Sequence, residues 1–172
     1  SGVNAGGVRR LGRALPEIPL SLRAMEMWHD IETLVDDDCG FESEGQVKVA
    51  EGEADMETCR ARRETLVAEG FTHEEVIDRQ ELRALVPHIA EHCIGGLVSR
   101  GDGAALPFRT VLAFRNKAKA LGARFIEGER VVSLVRTGTV WTATTDAGTR
   151  LQAPVVVNAA GAWAGHLAEM AG

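Results

Sequence analysis

The first residues of the chain combine glycines with a polar side chain in a pattern that could bind a ligand through the backbone. Glycine permits positive φ and lets another molecule approach the main chain, so Gly2, Gly6 and Gly7 around Asn4 could line a ligand. The alternative is a disordered terminus, because chain ends concentrate disorder. The local pattern leaves both interpretations open.

A second candidate site lies near the end of the sequence, where an apolar stretch meets small residues. The segment 154–160 reads PVVVNAA, which predicts a buried strand, and Gly161 then breaks it before a helix. Small residues at a strand end let a nucleotide lie against the sheet, and a helix start offers free N–H groups. Close packing explains the alanines equally well, so this pattern alone is weak.

Metal-ligating and redox-active residues form no recognised motif. His88 and His92 stand four apart beside Cys93, but Pro87 disrupts the helix that this spacing would need, so no metal site is predicted. The cysteines form no CxxC pair, which suits a reducing cytosol. They are Cys39, Cys59 and Cys93.

Composition predicts a soluble, cytoplasmic protein of one domain or two small lobes. The chain has 172 residues, of which 45% are hydrophobic, and a formal net charge of −6. An acidic balance argues against sequence-independent nucleic-acid binding, which needs a basic surface. The sequence shows neither an apolar run of bilayer length nor a secretory leader. The basic run 60–63 lies among glutamates and predicts a solvated helix face.

Periodicity predicts three elements in the first part of the chain. Apolar residues at helical spacing predict a helix from Leu20 to Leu34, with Ser21 as its N-cap. Alternation around Val47 and Val49 predicts a strand. A second helix is predicted from about Met56 to Ala68, with Gly70 ending it.

Capping and turn residues define the elements that follow. Asp78 with Glu81 three residues later predicts a capping box at a helix start. Gly95 and Gly96 leave one strand face without side chains. This indicates that a flat group or another backbone approaches the strand closely, or that the strand contains a β-bulge. Pro107 predicts the start of a helix that Gly122 ends. Later strands are predicted to turn at 137–138 and 146–148.

Three separated blocks together resemble one protein family. They are SGVNAGGVRR, DGAALPFRTVLAFRNKAKALGARFIEGERVVSLV and VVVNAAGAWAG. Their order and spacing are similar to the FAD-dependent oxidoreductases of the D-amino-acid oxidase superfamily, the group of glycine oxidase, sarcosine oxidase and D-amino-acid dehydrogenase. The resemblance spans nearly the whole chain.

The resemblance implies cofactor-binding roles. Residues 1–7 would follow the ribityl and isoalloxazine portion of FAD, with backbone amides toward the cofactor. The backbone of Val131 would meet adenine, and the small residues after the apolar strand would lie beside the adenosine and pyrophosphate, with Trp163 starting the helix behind them. The implied cofactor-binding residues are Ser1, Gly2, Asn4, Ala5, Gly6, Gly7, Val131, Ala159, Ala160, Gly161 and Trp163.

The implied fold is mixed α/β, with an incomplete Rossmann-like FAD lobe and a substrate lobe built on a mixed sheet. Residues 1–40 would supply the flavin-side loop and a helix, 41–100 part of the substrate lobe, and 101–172 further FAD-lobe elements. The sequence departs from the family in having no GxGxxG turn, so we expect an internal portion of a longer enzyme that retains FAD weakly by itself. Exposed sheet edges would favour a homo-oligomer.

For the longer enzyme, the resemblance implies oxidation of an amine or an α-amino acid by hydride transfer to FAD. A carboxylate substrate needs a cationic partner, for which Arg9 and Arg10 are the candidates; a structural ion pair is equally compatible with either. Arg109 is expected to be a surface charge, and the catalytic residues stay unassigned. The alternatives are a non-catalytic nucleotide-binding or scaffold domain and an NAD-linked α/β protein.

Overall fold

The computed structural model describes residues 5–172 and divides the chain into two compact units, Ser1–Ala123 and Arg124–Gly172. The residues 1–4, which include the predicted Ser1, Gly2 and Asn4, lie outside the described part. In the first unit the strands are β1 (Gly7–Val8), β2 (Gln46–Ala50), β3 (Glu75–Asp78), β4 (Gly95–Ser99) and β5 (Gly103–Ala104). Its helices are α1 (Ile18–His29), α2 (Ile31–Val35), α3 (Glu53–Ala68), α4 (Arg79–Leu85) and α5 (Pro107–Ala120), with a 3-10 turn at Leu15–Glu17.

A three-stranded antiparallel sheet with the order β2-β4-β3 forms the centre of the first unit. Successive residues of β4 point to opposite faces, so each face can carry its own core. Leu97 belongs to a cluster with Met56 and Cys59 of α3, whereas Val98 belongs to a cluster with Leu82 of α4. Both faces of the middle strand are therefore covered by helices.

The glycine pair of β4 is explained by the neighbouring strands. The pairing with β2 runs without a shift from Gln46↔Ser99 to Ala50↔Gly95, so the expected bulge is absent from this pairing. A Cβ at Gly96 would overlap the carbonyl oxygen of Lys48, and one at Gly95 that of Ile77. The close approach that the sequence indicated is thus made by other backbone.

Two details of the first predicted helix are wrong. The single helix is divided into α1 and α2 at Asp30, whose φ of −113° and ψ of 23° depart from helical values. Helix α1 also starts earlier, at Ile18, because Pro19 suits the first turn. Ser21 therefore lies inside the helix, where its Oγ donates to the Ile18 carbonyl at 2.9 Å instead of capping.

The start of α4 and the ends of α3 and α5 follow the sequence signals, whereas α3 begins at Glu53, three residues before the predicted Met56. Asp78 Oδ1 accepts from the Glu81 amide at 2.9 Å, which together with the reciprocal bond completes the capping box of α4. Gly70 and Gly122, which follow α3 and α5, have φ values of +84° and +94°. These positive values explain why glycine ends both helices.

The second unit is an antiparallel meander followed by a helix. Strands β6 (Val131–Thr137), β7 (Val140–Thr145) and β8 (Arg150–Ala153) pair in sequence order, with turns where the sequence predicts them. A 3-10 turn at Gly161–Trp163 leads into α6 (Ala164–Ala171), which packs on β6.

The strand predicted over residues 154–160 is not formed. Val155 and Val157 are 71% and 82% exposed, and the meander pairs no strand with this segment in the described residues. An apolar segment becomes a strand only where a neighbouring strand takes up its amides and carbonyls. The sequence pattern is right for a buried strand, but the described part of the unit supplies no partner.

The mixed α/β class is confirmed. The strand pairs in the described residues are all antiparallel, so the parallel component of the predicted mixed sheet is not represented in residues 5–172. The assignment of 1–40, 41–100 and 101–172 to cofactor and substrate lobes stays a prediction. In the described chain, no helix has the length and apolar content to cross a membrane.

Candidate functional site

The predicted cofactor loop of the first unit is held by a short two-stranded ladder. Gly7 pairs with Ala104 and Val8 with Gly103, and the Ala105 amide donates to the Gly6 carbonyl at 2.9 Å. Gly6 has a φ of +72°, and a Cβ there would overlap the Ala105 carbonyl oxygen. Glycine is thus required at this position by both the backbone conformation and the close approach of the second strand.

A cavity of about 340 Å³ lies between this loop and α1. Its walls combine the loop backbone, two guanidinium groups, one carboxylate and the mostly apolar face of α1. A second cavity of about 150 Å³ shares Gly7, Val8 and Trp28 and is also lined by Ala105 and Thr110. The first cavity is lined by Gly7, Val8, Arg9, Arg13, Glu17, Leu20, Ser21, Ala24, Met25 and Trp28.

The two arginines named from the sequence lie in different environments. Arg10 is 16% exposed and its Nε donates to Asp102 Oδ1 at 2.8 Å, so its contacts are those of the structural ion pair. Arg9 is exposed, lines the larger cavity and donates from Nη1 to the Leu11 carbonyl at 2.7 Å. Of the two, Arg9 is placed to meet a small molecule in that cavity.

Arg109 forms two ion pairs, whereas the sequence analysis predicted only a surface charge. Its Nε lies 2.8 Å from Asp37 Oδ1 and its Nη1 lies 2.9 Å from Asp38 Oδ1. Lys117 likewise contacts Asp36 at 2.7 Å. The acidic run after α2 therefore ties that segment to α5, although these partly exposed pairs contribute little stability individually.

In the second unit, three of the predicted cofactor residues line one cavity. Val131, Ala160 and Trp163 border a space of about 700 Å³ between β6 and α6. Asn158 shapes the turn beside it, because its Nδ2 donates to the Ala164 carbonyl at 2.9 Å. Ala159 and Gly161 flank Ala160 in the chain. The remaining lining residues are Glu129, Arg130, Val132, His166, Leu167 and Met170.

Sequence reasoning missed a buried charged cluster in the first unit. The side chains of Glu74 and Asp102 have no exposed surface, and each is paired with an arginine: Arg62 Nη2 lies 2.6 Å from Glu74 Oε1. Glu74 Oε1 also accepts from the Gly12 amide at 2.9 Å. Burial raises the pKa of Glu74, but the hydrogen bonds from Arg62 and Gly12 outweigh it and hold the pKa below its usual value.

His73 lies in the same cluster, and within the described residues neither of its ring nitrogens has a hydrogen-bond partner. Its side chain is 4% exposed, and Nε2 lies 3.7 Å from Glu74 Oε1. Burial lowers the pKa of His73, and this outweighs the attraction of Glu74; Arg10 and Arg62 lower it further, while Asp102 opposes them. The imidazole is therefore held neutral at physiological pH.

We expect the His73 environment to make stability fall as the medium becomes mildly acidic. Because the folded pKa is lowered, the unfolded chain binds a proton more readily below about pH 6.5, and the free energy of unfolding decreases there. One group can contribute at most about 1.4 kcal/mol per pH unit. Urea denaturation between pH 7.5 and 5.5 should show this slope, and His73→Leu should flatten it.

The exposed His88 supplies the control for this measurement, since His88→Gln changes the histidine content without touching the cluster. If His73→Leu and the unsubstituted chain have the same slope between pH 7.5 and 5.5, the buried imidazole is not the group responsible.

No group of three or more potential metal-ligating side chains comes together anywhere in residues 5–172.

Comparison with known proteins relates the chain to one family. The family model for FAD dependent oxidoreductases (DAO) matches residues 1–172. One subunit of the anaerobic glycerol-3-phosphate dehydrogenase of Escherichia coli K12 is 39% identical over 103 residues, which are 56% of this chain and 19% of that protein. The HcnC subunit of the hydrogen cyanide synthase of Pseudomonas aeruginosa is 34% identical over 96 residues, which are 55% of this chain and 23% of that protein.

Solved structures share the fold. Glycine oxidase from Geobacillus kaustophilus superposes with a TM-score of 0.84 at 22% identity, covering 99% of this chain and 47% of that one. The chain thus spans about half of this structural relative, and the matched segments are about a fifth of the curated relatives.

Proposed function

The chain belongs to the family of FAD-dependent oxidoreductases, and from this premise we propose that it is a portion of an enzyme that oxidises an amine or an α-amino acid. The substrate would be of the D-amino acid, glycine or sarcosine type. Bound FAD would accept the hydride from the carbon that carries nitrogen. The contribution of this chain would be to bind and orient the substrate and part of the cofactor.

The observation that carries the proposal is the position of Arg9 at the cavity of about 340 Å³ between the glycine loop and α1. Arg9 lines this cavity together with Gly7, Val8 and Trp28. A guanidinium suits a carboxylate because it can donate two parallel hydrogen bonds. Met25 and Trp28 would exclude water from the apolar side of the substrate. Arg10 stays the less favoured candidate, since Asp102 already binds its guanidinium.

The described residues fit a dinucleotide cofactor in both units, each considered separately. Gly7 lines both cavities described above for the first unit, Gly6 lines the smaller one, and Ala5 precedes them, so this segment offers backbone with little side-chain bulk, which suits a flat ring system. In the second unit the largely apolar cavity at Val131, Ala160 and Trp163 suits a nucleoside. We propose that these residues, with Ala159 and Gly161, hold FAD.

A second candidate reaction is the oxidation of a polyol phosphate. The relative with 39% identity belongs to a glycerol-3-phosphate dehydrogenase. Arg9 and Arg13 both line the larger cavity, and a pair of guanidinium groups serves a phosphate as well as a carboxylate. The non-catalytic alternative, a nucleotide-binding or scaffold domain, requires neither substrate.

The deciding experiment is anaerobic mixing of the natural protein that carries this sequence with glycine, sarcosine, D-alanine or glycerol 3-phosphate. We expect an amine to bleach the flavin absorption band and Arg9→Met to raise the KM for that amine about tenfold, since a hydrogen bond to a charged group is lost. Arg23→Met, which alters an exposed ion pair with Glu26, is the matched control.

Each result of this mixing experiment decides between the candidates. Bleaching by glycerol 3-phosphate alone would replace the amine reaction with the polyol reaction, and no bleaching by any of the four would favour the non-catalytic alternative. The natural protein is used because the 172-residue chain contains no GxGxxG turn and is expected to retain FAD more weakly than micromolar. We propose small-molecule substrates and a cytoplasmic location, and association of copies through sheet edges stays a proposal.

A further inference from the structure

Asp102 is a fully buried carboxylate whose oxygens are taken up by a segment far away in the sequence. It lies between β4 and β5 and has no exposed surface. Its Oδ2 accepts from the backbone amides of Arg10 and Leu11 at 2.7 and 2.8 Å, and its Oδ1 accepts from Arg10 Nε at 2.8 Å. Three donors of one short segment thus depend on one side chain.

These bonds fix the backbone that follows Arg9, whereas the glycine loop precedes it. Before Arg9, the segment is held by the pairing of β1 with β5 and by the Ala105 amide on the Gly6 carbonyl. After Arg9, Asp102 holds the next two amides. Arg9 therefore sits between two anchored points, and its guanidinium is directed by a backbone that has little freedom to move.

The residues that follow are held in the same way by a second buried carboxylate. Glu74 Oε1 accepts from the Gly12 amide, and Arg62 Nη2 donates to the Arg13 carbonyl at 2.9 Å. Three consecutive amides, those of Arg10, Leu11 and Gly12, are therefore bound by buried carboxylates. Buried side chains of this kind are placed to define one conformation of a loop.

We propose that Asp102 is a positioning residue that holds Arg9 and the adjoining loop in the geometry required for ligand binding in the larger cavity. This inference rests on the proposed function, which places the substrate in that cavity. Asp102 does not itself line the cavity. It acts through the backbone of Arg10 and Leu11, whose amides both donate to Oδ2, while Oδ1 accepts from the Arg10 side chain.

Substitution by asparagine tests the requirement for two accepting oxygens. An amide has one accepting oxygen and one donating nitrogen, so in Asp102→Asn the nitrogen faces either Arg10 Nε or the two backbone amides. If it faces Arg10 Nε, the backbone amides keep an acceptor, but this acceptor is neutral, and a hydrogen bond to a charged acceptor is the stronger one. The matched control is Asp36→Asn, because Asp36 also receives a lysine on both oxygens, at 2.7 and 2.8 Å, but is 70% exposed.

Amide hydrogen exchange provides a readout that does not depend on flavin or turnover. In Asp102→Asn we expect exchange at Arg10 and Leu11 to accelerate about tenfold or more, as for the loss of one hydrogen bond to a charged acceptor, while the amides of β4 remain slow. Asp36→Asn should leave the exchange at Arg10 and Leu11 unchanged. Equal acceleration throughout the first unit, or none at Arg10 and Leu11, would overturn the positioning role.

The natural FAD-loaded protein provides the second readout. We expect Asp102→Asn to raise the KM for the substrate identified above about tenfold with a smaller change in kcat, because the ligand is bound less well while the reacting groups are unchanged. Accelerated exchange with an unaltered KM would also overturn the role. If no amine or phosphate reduces the flavin, the proposed function fails, whereas the exchange measurement still tests the anchoring.

Arg10→Lys keeps the proposal testable if Asp102→Asn does not fold. A lysine retains a positive charge near Asp102, and the two backbone amides can still reach the carboxylate. The backbone amides at positions 10 and 11 of this variant should then remain slow to exchange. Fast exchange at Leu11 in Arg10→Lys would show that the ion pair, and not the carboxylate–backbone bonds, anchors the segment, which would contradict the proposal.

Discussion

Replacing Gly96 by alanine should lower the free energy of unfolding of the first unit by about 3 kcal/mol, the upper end of the usual range for overpacking. Gly96 lies in β4, the middle strand, with β2 on one side and β3 on the other. A Cβ at this position would overlap the carbonyl oxygen of Lys48, which is backbone held in the ladder and has no alternative rotamer. Relief of this overlap therefore requires β2 and β4 to separate locally.

Urea denaturation followed by circular dichroism measures this loss. The control is Gly52→Ala, because a Cβ at Gly52 would meet no atom within 4 Å and its φ of −155° is extended backbone. Gly52 precedes α3 as its N-cap, where alanine instead of glycine changes stability by only about 1 kcal/mol or less. Equal stability of the Gly96→Ala and Gly52→Ala chains would mean that β2 and β4 are not as close as the structure places them.

The elements that the sequence predicted well are those whose signals lie within a few residues. The capping box of α4 needs only Asp78 and Glu81, and the end of α5 needs only Gly122. The turns of the meander are similarly local. Such features depend on backbone conformation and on hydrogen bonds between residues close in sequence, so a short sequence pattern is enough to predict them.

The elements that the sequence predicted poorly depend on partners elsewhere in the chain. The segment 154–160 has the composition of a buried strand, yet Val157 is 82% exposed because no described strand of its unit pairs with it. Ser21 is a different case, because the signal that overrides its capping preference is local: Pro19 moves the helix start to Ile18.

The same distinction applies to the candidate site. The glycine loop and the residues at the cavity of the second unit were predicted from the sequence because a recognisable family pattern contains them, and their cofactor roles stay a prediction. Asp102 and Glu74 were not found, because acidic residues in a linear sequence predict exposure and their bonding partners are far away in it. Whether the glycine loop of the first unit and the small residues at 159–161 bind one cofactor stays a prediction.

Arg62→Met should destabilise the first unit by about 3 kcal/mol at pH 7, because it leaves the buried Glu74 carboxylate without its guanidinium partner. Arg62 donates to Glu74 from both Nε, at 2.7 Å, and Nη2, at 2.6 Å. Methionine fills similar space but offers no donor. Among the hydrogen-bond donors in residues 5–172, only the Gly12 amide would then remain on a carboxylate that has no access to solvent.

The pH dependence of this loss distinguishes a buried pair from a surface pair. In the unsubstituted chain the pKa of Glu74 is held below its usual value, so its contribution to stability is complete above about pH 4.5 and is lost as the pH falls through the folded pKa. Without Arg62, burial dominates and the folded pKa lies above the unfolded one. The deficit should therefore be largest at neutral pH and shrink toward pH 4.5, where the neutral acid is buried at lower cost.

Arg60→Met is the matched control, since Arg60 on the same helix pairs with Glu53 and Glu57, which are 72% and 74% exposed. Loss of such exposed pairs should leave stability nearly unchanged at any pH. Urea midpoints of both variants at pH 4.5, 6 and 7.5 make the comparison. A deficit in Arg62→Met that is the same at all three pH values would mean that Glu74 is hydrated and that its charge is not what Arg62 compensates.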